Sequence, residues 1–166
     1  MHEPITSDVQ YFKFEEDFVE DNVRCIPMIV RFKLDAVGIK LKLAEWSKLN
    51  PEERSMLAEE PCATPIEKAV YRNKLMLLVK IRTGHEPMDL EINRMPEWAN
   101  LHNIEPLLQE KAREYNWKIS MEQWRSLSSL QRFALLKLYR PGHENKNFPK
   151  AMEEFGLTMT VQYVEC

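Results

Sequence analysis

Glycine is scarce in this sequence, with only four residues in a chain of 166. Phosphate-binding loops and dinucleotide fingerprints require several closely spaced glycines, and no G-x-S-x-G nucleophile elbow occurs either. Sheet-rich folds with many tight turns also use more glycine than this chain has. The scarcity therefore argues against these enzyme classes and favours a helical fold.

Cysteine, basic charge and long apolar runs are lacking as well. Three cysteines without close spacing do not make a disulfide framework, so we expect a reducing, cytoplasmic location. The formal net charge is −3 and no basic stripe is present, which argues against a nucleic-acid partner. No run approaches the ~18 consecutive apolar residues of a membrane span, and the polar N-terminus differs from a secretory signal.

Residues that bind metals or perform catalysis do not cluster. The four histidines and three cysteines lack the spacing of a metal site. Cys25 and Cys62 lie beside helix starts, where the positive helix end can lower a thiol pKa, but we interpret both as small buried residues. Spacing selects no catalytic pair among the 26 acidic residues. The sequence therefore predicts no metal, no cofactor and no enzymatic activity.

One stretch of the sequence occurs twice. Residues 39–57, IKLKLAEWSKLNPEERSML, correspond to residues 117–135, WKISMEQWRSLSSLQRFAL. The identical positions are Lys40 and Lys118, Trp46 and Trp124, Leu49 and Leu127, Arg54 and Arg132, and Leu57 and Leu135. Capped amphipathic helices can converge on such a pattern, so we interpret it as a structural repeat and leave common descent open.

Each copy follows a helix that ends at a residue suited to the left-handed conformation. Gly38 ends the first predicted helix, and Asn116 ends one predicted over residues 104–115. Each copy then continues through a short connector into a helical turn that carries Trp46 or Trp124. We predict a structural role for the two stop residues and the two tryptophans.

The strongest single helix signal spans residues 64–83. Thr64 is the predicted N-cap, Glu67 completes a capping box and Gly84 ends the helix. Its apolar residues predict a wide buried surface, so we expect the two halves of the chain to pack around this helix. These residues are Ile66, Ala69, Val70, Leu75, Leu77, Leu78, Val79 and Ile81.

Together these elements predict an all-α fold, a compact bundle of about seven or eight helices. A flexible tail at 1–10 precedes a single helical domain at 11–166. Within that domain, two similar helix-turn-helix halves at 24–83 and 104–157 flank a linker at 84–103. The alternating C-terminal tail further predicts a minor two-stranded patch between the chain termini.

The densest polar cluster is the loop at 140–148. Its donors could hold an anion or a partner carboxylate, whereas a structural interpretation has Arg140 at a helix C-terminus and Asn147 capping the next helix. Arg54 and Arg132 could frame a site between the halves, but we favour bracing of the preceding tryptophan turns. The candidate binding residues are Arg54, Arg132, Arg140, His143, Glu144, Asn145, Lys146 and Asn147.

Three segments resemble the nitrate reductase-associated protein family of small bacterial, often cyanobacterial, proteins. They are RCIPMIVRFKLDAVGIKLKLAEW at 24–46, WRSLSSLQRFALLKLYRPGHENKNF at 124–148 and AMEEFGL at 151–157. The resemblance covers residues 10–157. Members of this family are often encoded beside nitrate reductase and molybdenum-cofactor genes, so the resemblance implies a role in nitrate assimilation. It defines no catalytic or ligand residue that could be assigned to positions in this chain.

Two hypotheses about function follow. The first is a non-enzymatic accessory protein of nitrate assimilation, which contacts nitrate reductase or a molybdenum-cofactor maturation protein. The second is a helical sensor or carrier that binds a small anion or cofactor in a pocket between the halves. In the second hypothesis Arg132, Arg140, His143 and Lys146 meet the anion.

Overall fold

The computed structural model describes residues 11–15 and 25–158. In these residues the chain forms eight α-helices and one small antiparallel sheet, which confirms the predicted all-α class. The helices are α1 (Met28–Val37), α2 (Leu43–Ser47), α3 (Pro51–Glu59), α4 (Pro65–Thr83), α5 (Pro106–Arg113), α6 (Met121–Ser126), α7 (Ser129–Leu138) and α8 (Phe148–Glu154). Short 3-10 turns occur at Lys13–Glu15, Glu97–Ala99 and His143–Asn147. The predicted flexible tail lies outside the described residues.

The sheet lies elsewhere than at the chain termini. Strand β1 (Ile39–Lys40) pairs with strand β2 (Met88–Asp89), and Ile39 lies opposite Asp89. The predicted N-terminal strand is a 3-10 turn at Lys13–Glu15, and its predicted C-terminal partner lies outside the described residues. Strand β2 lies within the predicted linker at 84–103 and was not identified from the sequence.

The chain divides into two compact units, residues 1–93 and residues 94–166. The division falls within the predicted linker at 84–103, and each unit contains one copy of the repeated stretch. The organisation of both halves as one domain stays a prediction.

The core of the first unit is formed by α1, α2, α3 and α4 around the side chains of Tyr71, Leu75 and Val79. These three residues recur every fourth position and so lie on one face of α4. The predicted ends of this helix are confirmed. Thr64 Oγ1 accepts the backbone N–H of Glu67, and Gly84 has a left-handed φ of 82°.

The predicted wide apolar surface of α4 is only partly buried. Ile66, Val70, Leu77 and Ile81 are exposed, on the face opposite the buried residues. The prediction that the whole apolar surface is core was therefore wrong. Apolar side chains at helical spacing show that two faces exist, but they do not show how many of those faces another element covers.

The core of the second unit contains most of α7. Seven of its ten residues are buried, in agreement with the apolar sequence LQRFALLKLY. Trp124 of α6, Leu108 and Ala112 of α5, and Phe148 of α8 are also fully buried. Leu107 and Tyr115, within the stretch predicted as the 104–115 helix, are exposed.

The predicted helix stops adopt the left-handed conformation in both units. Gly38 has φ 71°, and Asn116 is the one described non-glycine residue with positive φ, at 63°. After each stop, a connector leads into a short capped helix that carries the tryptophan and then into a second capped helix. The capping residues Asn50 and Ser128 occupy equivalent positions in the two copies.

Candidate functional site

Arg54 braces the tryptophan helix of the first unit. From the first turn of α3 its guanidinium lies over the Trp46 ring, 5.8 Å from the centroid. Its Nε donates to the Trp46 carbonyl at 3.3 Å, and its Nη2 donates to the Ser47 carbonyl at 3.1 Å. These carbonyls lie at the end of α2, and the Trp46 carbonyl also accepts the backbone N–H of Leu49 at 3.1 Å. Arg54 thus joins the end of α2 to the start of α3.

Arg132 has the equivalent position in the second unit and is more deeply buried, with 7 % of its surface exposed. Its guanidinium lies 5.9 Å from the Trp124 ring centroid. Nη1 donates to the carbonyls of Trp124 and Leu127, and Nε donates to the carbonyl of Trp98 at 2.7 Å. Burial lowers the pKa of Arg132. Because these donors serve the protein itself, Arg132 has little capacity left for an external anion.

Backbone carbonyls of the predicted linker are held by side chains of α6 and α7. Besides the Arg132 bond to Trp98, the indole Nε1 of Trp124 donates to the Asn100 carbonyl at 2.8 Å. Arg125 Nε donates to the Leu101 carbonyl at 2.9 Å. Residues 98–101 of the predicted linker are therefore a packed part of the second unit. Sequence reasoning gave no signal for this packing, because any residue supplies a carbonyl.

The polar loop at 140–148 uses its best-placed amide as a helix cap. Asn145 Nδ2 lies within 3.4 Å of the carbonyls of Leu138, Tyr139 and Arg140, at the end of α7. Arg140, which was predicted to meet this helix end, lies over the Tyr139 ring at 6.0 Å instead. A short polar side chain reaches several converging carbonyls at little cost in side-chain entropy, so Asn145 is the better cap.

The remaining candidate residues of this loop are His143, Glu144, Lys146 and Asn147. Asn147 precedes α8 but makes no capping bond, and its buried Oδ1 has no hydrogen-bond partner. The predicted capping role of Asn147 was therefore wrong. Lys146 is exposed, and the side chains of His143 and Glu144 lie outside what the structure describes.

A second polar cluster, which sequence reasoning missed, closes the C-terminal end of α3. Lys33 Nζ donates to the carbonyls of Ala58 and Glu60, and the Tyr71 hydroxyl donates to the Leu57 carbonyl at 2.8 Å. Burial lowers the pKa of Lys33 and raises the pKa of Tyr71. The donors come from α1 and α4, so only the folded chain brings them together.

Cys62 lies beside this cluster and is a poor candidate for a reactive thiol. Burial raises the pKa of Cys62 to about 11, whereas the nearby Lys33 lowers it by a smaller amount. The thiolate is the nucleophilic and metal-binding form, and it is rare at neutral pH for such a group. The lowering of the Cys62 pKa by the positive end of a helix, considered from the sequence, is therefore outweighed by burial.

A concave surface of about 450 Å³ lies along α3 and the residues after it. Its polar lining includes Glu52, Ser55, Glu59 and Glu60, and Lys74 Nζ lies 2.7 Å from Glu60. A surface with this excess of carboxylates repels anions. It does not supply the site that the anion-binding hypothesis requires.

The described residues contain no group of three or more histidine, cysteine, aspartate or glutamate side chains that could hold a metal ion. Within the same part of the chain, no helix combines the length and apolarity required to cross a membrane.

Comparison with protein families finds a match over most of the chain. The family model described as "Conserved nitrate reductase-associated protein" matches residues 11–155, which is most of the chain. A search of curated proteins and a search of solved structures each found no match.

Proposed function

Because this chain belongs to the family of conserved nitrate reductase-associated proteins, we propose that it is a non-enzymatic accessory protein of nitrate assimilation. It acts in the cytoplasm by contact with another protein, either nitrate reductase or a protein of molybdenum-cofactor maturation. The match over residues 11–155 carries the proposal, because the description names an association and no reaction.

An exposed apolar row supports contact with a protein partner. Met88, Leu90 and Ile92 are alternate residues and are all exposed. Met88 belongs to β2, and Leu90 continues its pairing through a 2.8 Å bond from its N–H to the Gly38 carbonyl. Exposed apolar groups on a strand edge favour docking of a partner, and methionine adapts well to partner surfaces. This row is the proposed docking surface for the protein partner.

The chemistry of the described side chains supports a role without catalysis. Tyr71, Lys33 and Arg132 have pKa values shifted by burial, and each donates to backbone carbonyls that end a helix. At an active site, side chains with shifted pKa values converge on a cavity that a substrate can enter. Here they serve helix ends, a structural use that accounts for their burial.

A co-purification experiment with matched variants tests the proposal. The tagged chain, Met88→Glu and Leu107→Glu are expressed in nitrate-grown cells of the source organism. Met88 and Leu107 are each 54 % exposed, so both variants should fold equally well. We expect nitrate reductase or a cofactor-maturation protein to accompany the native chain and Leu107→Glu, with at least tenfold less accompanying Met88→Glu.

Recovery of neither protein with the native chain would overturn the accessory role. Recovery that Met88→Glu leaves unchanged would keep the association but reject the β2 row as its surface.

The anion-binding alternative has less support from the described residues. Arg132 is occupied, Asn145 caps α7, and the concave surface on α3 carries carboxylates. This alternative stays a prediction that a thermal-shift measurement can test.

A further inference from the structure

The outer face of α4 carries an exposed apolar stripe. It consists of Ile66, Val70, Leu77 and Ile81, whose exposed fractions are 78, 41, 59 and 64 %. At 3.6 residues per turn these four positions fall within about 60° of the helix circumference. They therefore form one continuous stripe along a helix of 19 residues. Large uncovered apolar stripes on a protein surface mark interaction sites.

The spacing of the stripe matches a contact between two identical helices. Ile66 and Ile81 are equally far from the point between Asn73 and Lys74, and so are Val70 and Leu77. A two-fold axis through that point places Ile66 of one copy opposite Ile81 of the other. It also places Val70 opposite Leu77, as a self-complementary two-fold interface requires. We propose that the chain forms a homodimer through antiparallel packing of two α4 helices.

Charge favours the antiparallel over the parallel arrangement. The first turn of α4 is acidic through Glu67, and its last turn is basic through Lys80. The other basic residue of the last turn, Arg82, is already paired with Glu53 at 2.9 Å. Antiparallel packing brings the acidic end of each helix to the level of the basic end of the other. Parallel packing would bring like charges together, which is destabilising.

The polar residues at the centre are compatible with this axis. Asn73 of each copy lies on the same side of the stripe near the axis, where two amides can pair with one another. A central asparagine of this kind fixes the register of helix pairs. Lys74 also lies near the axis, and Glu60, at 2.7 Å from its Nζ, balances its charge.

The available area indicates a weak, reversible dimer. A fully exposed aliphatic side chain offers roughly 60–120 Å² of apolar surface for burial. With eight side chains about six-tenths exposed, the apolar contact is about 300–600 Å², and the polar rim raises the total to roughly 500–1,000 Å². Specific interfaces begin near about 1,000 Å², so we expect dissociation in the micromolar range.

Sedimentation velocity of the full chain over a micromolar concentration series tests the dimer, and charge substitutions test its register. Ile66→Lys and Ile81→Glu should each weaken the dimer at least about tenfold. The double variant Ile66→Lys/Ile81→Glu should recover most of the loss, because each lysine then faces a glutamate of the other copy. The control Ile66→Lys/Leu77→Glu should show no recovery, because residue 77 faces residue 70.

The substituted positions are largely exposed, and circular dichroism checks that each variant folds. A chain that stays monomeric at the highest concentration overturns the proposal. A dimer that the single substitutions leave intact, or that Ile66→Lys/Ile81→Glu fails to restore, overturns it as well. The inference is independent of the proposed function, because purified chain suffices for the test.

Discussion

Replacing Gly38 with alanine is expected to destabilise the first unit by about 2–5 kcal/mol in total, through strain and overlap. Gly38 has φ 71°, and an alanine in this left-handed conformation costs roughly 1–2 kcal/mol. A Cβ at this position would also lie 2.8 Å from the Leu90 carbonyl oxygen and 2.9 Å from Ile92 Cγ1. The Leu90 backbone cannot retreat freely, because its N–H bonds to the Gly38 carbonyl at 2.8 Å. This overlap should add about 1–3 kcal/mol.

Gly84→Ala is the matched control. Gly84 has φ 82° and ends α4, but a Cβ there would have no atom within 4 Å. Both variants share the left-handed strain and the reduced entropy of the unfolded chain. The difference in their free energies of unfolding therefore isolates the overlap with residues 90 and 92.

Urea denaturation measures that difference, and hydrogen exchange with mass spectrometry localises the loss of protection to α1, β1 and β2. Equal urea midpoints for Gly38→Ala and Gly84→Ala would refute the close approach of residues 90–92 to Gly38. A loss of protection confined to the second unit would refute the assignment of the strain to this turn.

Three further predictions concern the other polar sites. Arg132→Lys should lower the free energy of unfolding by about 2–4 kcal/mol, because buried carbonyls lose their donor. Arg54→Lys, at a half-buried site, should lower it by less than about 1.5 kcal/mol. Equal urea midpoints for the two variants would contradict this difference. Cys62, with its pKa raised by burial to about 11, should react with iodoacetamide at pH 8 about a hundredfold more slowly than glutathione, as followed by mass spectrometry. Saturating nitrate or phosphate should leave the melting temperature unchanged, and a clear rise would restore the anion-binding hypothesis.

Local features of the fold could be predicted from the sequence, because their causes lie within a few residues. Thr64 and Glu67 cap the helix that they begin, and Gly38 and Asn116 adopt the left-handed conformation that ends a helix. The bracing of each tryptophan turn by an arginine eight positions later belongs to the same class. From the spacing alone, Arg54 and Arg132 lie on the helix that follows the one carrying their tryptophan.

Features that depend on distant parts of the chain could not be predicted. The apolar positions of α4 gave no indication that Ile66 and Leu77 face outward, because burial is decided by the elements that pack nearby. Lys33 and Tyr71 meet the end of α3 from two other helices. In the 140–148 loop, Asn145 rather than Arg140 caps α7, a choice set by the path of the backbone.

The three carbonyls between Trp98 and Leu101 have a consequence for mutational tolerance. The stretch is held through backbone oxygens, while the specific donors belong to Trp124, Arg125 and Arg132. Since every amino acid supplies the same carbonyl, substitutions at Leu101 should be tolerated far better than substitutions at Arg132. The residues that fix the path of this stretch therefore lie 24 to 34 positions downstream of the carbonyls that they bind.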